Sequence, residues 1–137
     1  MSLNSQHCTA CSSKDGKPPP LSKNEIEAII SDSTLCPSWT VDEDQGRIRR
    51  KFVAKNFKAA IKWINQVADI AEDEGHHPDL HVTDYRVVEI VIQTQSIQAL
   101  TKNDFILAAK TDQVRVDYSP KWLRENAHVK AGIIHNS

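Results

Sequence analysis

From Phe57 onward the apolar residues Phe57, Ala60, Ile61, Ile64, Val67, Ala68 and Ala71 recur at helical spacing, with Lys58, Lys62 and Asp69 across from them. That stripe predicts an amphipathic helix, and Gly75 is well placed to end it. The period then changes to two. Leu80-His81-Val82 and the run from Tyr85 to Thr94, where Val88, Ile90 and Ile92 alternate with Glu89, Val91 and Gln93, predict a hairpin with one largely apolar face. Upstream, Ser22-Lys23-Asn24-Glu25 has the form of a capping box before Ile26, Ile29 and Ile30, which predicts a short helix. Trp39-Thr40-Val41 and Arg47 to Phe52 read as two strands joined by a turn over Asp42 to Gly46. Thr101 caps a third helix that carries Phe105, Ala108 and Ala109 inward. The order α-β-β-α-β-β-α predicts an α+β fold, a four-stranded antiparallel sheet with helices packed on one face.

The flanks differ from this body. Residues 1–20 are rich in Ser, Lys and Gly and end in Pro18-Pro19-Pro20, which predicts a disordered leader. Residues 21–112 form the domain, and 113–137 a C-terminal extension whose apolar residues Val114, Val116, Tyr118, Trp122 and Leu123 show no clear period.

At 137 residues the chain suits one domain. A net charge of -1 with 26% charged residues sets up no global field toward nucleic acid or membrane. No apolar run approaches the ~20 residues of a bilayer span, and the N-terminus lacks the charged-then-apolar form of a secretory signal. A cytoplasmic location is expected, with nuclear or organellar ones left open. Cys8, Cys11 and Cys36 make no disulfide framework. Cys8-x-x-Cys11 has half the form of a metal knuckle or a redox pair, but nothing completes it, so reduced thiols on a tail are expected.

The chemistry concentrates in Glu72-Asp73-Glu74-Gly75-His76-His77-Pro78. Imidazole titrates near neutrality, so two in succession offer a proton donor and a proton acceptor together. Pro78 biases His77 away from helical geometry and puts the pair at a helix-to-strand corner. A helix reaching Gly75 places Glu72 and His76 one turn apart, where the carboxylate would orient the imidazole. The bland alternative is a helix-capping His76 beside a solvated His77. His76, His77 and His81 resemble a ligand cluster, but Pro78 breaks their register, so no metal is expected. His81 should face away from Leu80 and Val82, toward a surface or an edge. Arg47, Arg49, Arg50 and Lys51 read as a solvated edge strand rather than a nucleic-acid surface.

These residues resemble the pterin-4a-carbinolamine dehydratase family, also known as dimerisation cofactors of a homeodomain transcription factor. Glu72, His76-His77-Pro78, Tyr85 and Asp104 match its signature in spacing, and the likeness runs from about Leu21 to Ala109. Two positions depart: Gln95 stands where the family usually has His, and Leu80 where many members have Trp. The resemblance implies dehydration of 4a-hydroxytetrahydropterin to quinonoid dihydropterin, with no cofactor because the pterin is the substrate. It implies His76 and His77 as catalytic residues and Glu72, Gln93, Thr94, Gln95 and Asp104 as substrate-binding ones, with Glu72 and Asp104 orienting the histidines or hydrogen-bonding the pterin and Gln93 to Gln95 lining the pocket. Gln95 cannot take a proton at neutral pH, which implies a slower dehydratase. A homodimer or homotetramer is implied, with no direct nucleic-acid or membrane partner. The competing reading is a non-catalytic pterin-binding or protein-binding module of the same fold.

Overall fold

The computed structural model describes residues 3–8, 19–32, 35–44 and 46–127. In chain order they form α1 (Lys23–Ser31), β1 (Thr40–Val41), β2 (Ile48–Val53), α2 (Phe57–Glu74), β3 (Asp79–Thr83), β4 (Val87–Ile92), α3 (Lys102–Thr111) and α4 (Pro120–Glu125). The strands make one antiparallel sheet in the order β1-β2-β4-β3. The expected α+β order is present, with α4 added at its end.

Local chemistry sets the element ends. Ser22 and Glu25 form the capping box of α1, and Asn56 caps α2 by accepting the Ala59 N–H. Register then aligns Ile48, Arg50 and Phe52 of β2 with Ile92, Ile90 and Val88 of β4, and the last two with Leu80 and Val82 of β3. Because strand side chains alternate, these residues share one face. All but Arg50 pack into the hydrophobic core with Ile26 of α1, Trp63 and Val67 of α2, and Phe105 and Leu107 of α3. The opposite face carries Arg49, Lys51, Glu89 and His81, and His81 is exposed there as its alternation with Leu80 and Val82 requires.

The stripe of α2 that enters the core is Ala60, Trp63, Val67 and Ala71. Phe57, expected inward, is instead 52% exposed. The helix has a broader apolar sector than one face can bury, and the large Trp63 ring, edge-on to Phe52 at 5.0 Å, turns it so that Phe57 stays outside. Phe57 and Ile61 line a shallow groove of about 540 Å³ with Lys58, Lys62, Gln66 and Asp69 of the same helix.

The basic run needs correction. β2 lies between β1 and β4 and is no edge. Arg50 is 2% exposed: its Nη1 donates to Asp112 Oδ1 at 3.1 Å and its Nη2 to the Tyr118 hydroxyl at 2.7 Å. The even position that alternation assigns to the core face is here filled by a cation with a buried carboxylate waiting for it.

Both flanks contribute contacts. Ser119 caps α4 with Pro120 in its first turn, a start signal that six residues of helix leave without a readable period. The segment before α4 runs back along β2, with Ser119 N–H on the Val53 carbonyl and Lys55 N–H on that of Asp117. Within the stretch read as a leader, Leu3–Ser5 make a 3₁₀ turn and Leu3 packs against the core. Cys11 lies outside the described residues. Among the described residues no helix is long and apolar enough to cross a membrane.

Candidate active site

The end of α2 delivers the tandem histidines. Gly75 takes a left-handed conformation (φ 62°, ψ 30°) that favours glycine. Its N–H bonds the Glu72 carbonyl and the His76 N–H bonds that of Ala71, the paired bonds of a Schellman closure. His76 is thus fixed by its own backbone as part of the cap. Pro78 follows and β3 begins at Asp79.

The two imidazoles diverge from there. His76 is 5% exposed, and its Nε2 meets Asp104 Oδ1 at 2.6 Å. Asp104 is fully buried and sits in the first turn of α3, where it completes the capping box with Thr101. Its Oδ2 accepts the Thr101 N–H and the Thr94 hydroxyl, both at 2.8 Å. Thr94 Oγ1 also lies 2.7 Å from Thr101 Oγ1. A hydroxyl has one proton, so Thr94 spends its own on Asp104 and Thr101 donates to Thr94. Thr101 Oγ1 in turn accepts the Asn103 N–H at 3.2 Å. Every proton in this chain has a direction, and it leads toward the carboxylate that holds His76.

His77 stands in water. Its Nε2 meets Glu72 Oε1 at 2.9 Å, with side chains 62% and 77% exposed. The expected partnership therefore changes hands. Glu72 reaches His77 across the cap, while His76 turns inward to Asp104, because the left-handed Gly75 breaks the helical register that would have put Glu72 beside His76.

The remaining expected residues are more scattered. Thr94 joins the Asp104 cluster. Gln93 is half-buried beside Gly46, 3.5 Å from where a Cβ there would sit, and Gln95 is exposed at the start of the turn that Thr94 and Ala99 close. Tyr85 lies at the tip of the β3–β4 hairpin, 57% exposed with φ 54°. It is separated from the Asp79 end by the length of β3, roughly 16 Å for five residues. The groove on α2 shares no residue with the histidine cluster. Among the described residues no three His, Cys, Asp or Glu side chains are arranged to hold a metal ion. The part played by Thr94 and Thr101 as partners of Asp104 was not foreseen. The Thr101-x-x-Asp104 capping box was its one sequence signal.

Known proteins agree with this architecture. The family model described as pterin 4 alpha carbinolamine dehydratase matches residues 19–114. A Cupriavidus pinatubonensis protein, provisionally named a pterin-4-alpha-carbinolamine dehydratase, is 37% identical over 117 residues, covering 82% of this chain and 90% of that one. The mitochondrial pterin-4-alpha-carbinolamine dehydratase 2 of Arabidopsis thaliana is 35% identical over 117 residues, 84% of this chain and 60% of that protein. A crystal structure described as a transcriptional coactivator/pterin dehydratase from Brucella melitensis superposes with a TM-score of 0.62 at 26% identity, covering 69% of this chain and 96% of that one. With the match extending over α1 to α3 and including the histidine corner, the chain belongs to the pterin-4-alpha-carbinolamine dehydratase family.

Proposed function

We propose that this protein dehydrates 4a-hydroxytetrahydropterin to quinonoid dihydropterin, with His76 and His77 as its acid/base residues. In that reaction the C4a–O bond breaks, the hydroxyl leaves as water with one added proton, and N5 loses a proton, so one group must donate and another accept. The observation that carries the reading is the buried 2.6 Å pair of His76 and Asp104. A carboxylate that is itself held by Thr94 and Thr101 fixes the ring for proton transfer. His77, open to water and held loosely by Glu72, is suited to binding the pterin and exchanging protons with solvent. Gln93, Thr94 and Gln95 are the proposed lining of the pocket edge, with Gln95 hydrogen-bonding the pterin without taking its proton. The missing third histidine makes the reaction slower than with a full set.

The test is the rate of carbinolamine dehydration near neutral pH with purified protein. The reading expects acceleration over buffer that His76→Ala reduces by about 10²–10⁴-fold. No acceleration over buffer would sink it. The second reading, a non-catalytic pterin-binding or protein-binding module, is favoured by Gln95 alone, and it expects pterin binding or partner capture with no turnover. We place the protein in the cytoplasm as a homodimer or homotetramer. The edge strand β3 and the groove on α2 support self-association, which light scattering after gel filtration would measure.

A further inference from the structure

Glu74 is the last residue of α2, one position before the glycine that turns the chain to His76. Its side chain is only 5% exposed. Oε1 accepts the Cys8 N–H at 2.8 Å, and Oε2 meets His7 Nδ1 at 3.0 Å and Lys110 Nζ at 3.3 Å. Burial alone would push this carboxyl up, but the bonds from Cys8, His7 and Lys110 outweigh it and hold it below the usual carboxylate range. The same N-terminal segment touches α3, where the Cys8 thiol donates to the Asn103 carbonyl at 3.5 Å, and Leu3 packs against the core. Asn103 immediately precedes Asp104. Residues 3–8 therefore bridge the last turn of α2 and the first turn of α3, the two turns that supply His76 and Asp104. Residues 3–8 lie outside the stretch 19–114 that the family model matches.

We propose that residues 3–8 are a strap which, gripped by Glu74, holds the C-terminal turn of α2 against the N-terminal turn of α3 and so keeps His76 on Asp104. Glu74 is then a positioning residue that acts through its neighbours. The physical need is plain: a hydrogen bond of 2.6 Å weakens steeply with drift of either turn, and chain and helix ends are where local opening is easiest. The Glu74 carboxylate opposes that opening by holding His7 and Cys8 of the strap beside the α2 cap, with Lys110 from the last turn of α3 as its third partner.

The test uses the double variant His7→Ala, Cys8→Pro, which removes the ring and the N–H that Glu74 holds together with the thiol bond to the Asn103 carbonyl, and leaves Lys110 and His76 untouched. Hydrogen exchange is read by NMR at the His76 Nε2 proton and at the Asp104 amide, which bonds the Thr101 carbonyl. The strap predicts that both exchange at least roughly tenfold faster than in the wild type, the loss of three modest hydrogen bonds, while amides in the middle of α2 are unchanged. Wild-type exchange at His76 and Asp104 would overturn it, as would an equal acceleration throughout α2, which would mean general stability and no positioning. The readout needs no turnover, so it stands apart from the fate of the dehydratase reading.

Discussion

The two ends of α3 carry buried carboxylates that do different work. Asp104, in the first turn, holds His76 and accepts from Thr94 and Thr101. Asp112, at the C-terminal cap, holds Arg50, the Trp39 indole at 2.9 Å and the Cys36 N–H at 2.9 Å. A negative charge is welcome at a helix N-terminus and unwelcome at its C-terminus. Asp112 therefore needs a permanent cation. Arg50 supplies it: burial works against the guanidinium, but Asp112 and then Tyr118 outweigh this and keep it firmly charged. Burial in turn pushes the Tyr118 phenol up, despite Arg50 beside it. Asp104, supported by the helix dipole and two donors, does not depend on a fixed positive charge. Its partner there is the buried imidazole of His76. One end of the helix anchors a buried ion pair, the other anchors the candidate site.

The largest expected effect lies at the folding end. Asp112→Ala strands Arg50 in the core and should cost about 3–5 kcal/mol, read by urea denaturation. A loss under 1 kcal/mol would show that the core tolerates the orphaned cation. Next comes Thr94→Val, which keeps shape but removes one donor from Asp104. It should cost about 1–3 kcal/mol and reduce dehydration as His76 loosens; unchanged turnover would detach Thr94 from the site.

A smaller effect concerns Glu74 and pH. Its folded-state carboxyl titrates below the ordinary range, so its contribution is present above about pH 4.5 and is lost as pH falls through the lower folded value. The stability difference between wild type and Glu74→Gln should therefore be full at neutral pH and shrink on acidification below 4.5. A difference independent of pH would show that charge plays no part there. The smallest effect belongs to the exposed pair, where Glu72→Gln should change stability by under about 1 kcal/mol, checked in the same denaturation assay.

The sequence made the frame of this contrast legible and hid its partners. Period-2 alternation in β4 and the Gly75 stop of α2 are written locally, and both read correctly. The Thr101 cap was equally visible as a helix start, and the structure adds Asp104 to it as a capping box. That Asp104 also reaches His76, 28 residues away, depends on tertiary packing and has no local signature, so only the family resemblance pointed to Asp104 as an orienting group; the expected Glu72–His76 contact assumed a helical register that the cap itself ends. Arg50 was misread for a related reason, since a cation on a strand looks solvated until its distant carboxylate is known. Trp63 likewise took the core place expected for Phe57 because ring packing against Phe52 decides the rotation of α2, and periodicity alone does not.

The contrast between the ends of α3 is tested most directly by Asp104→Asn beside Asp112→Asn, measuring carbinolamine dehydration and unfolding free energy on each. Asparagine retains an oxygen for the Thr101 N–H and the fold of the first turn. The account predicts that Asp104→Asn lowers turnover at least about tenfold with a smaller loss of stability than Asp112→Asn. Wild-type turnover in folded Asp104→Asn would contradict it, and so would equal losses of turnover in both variants that follow their stabilities.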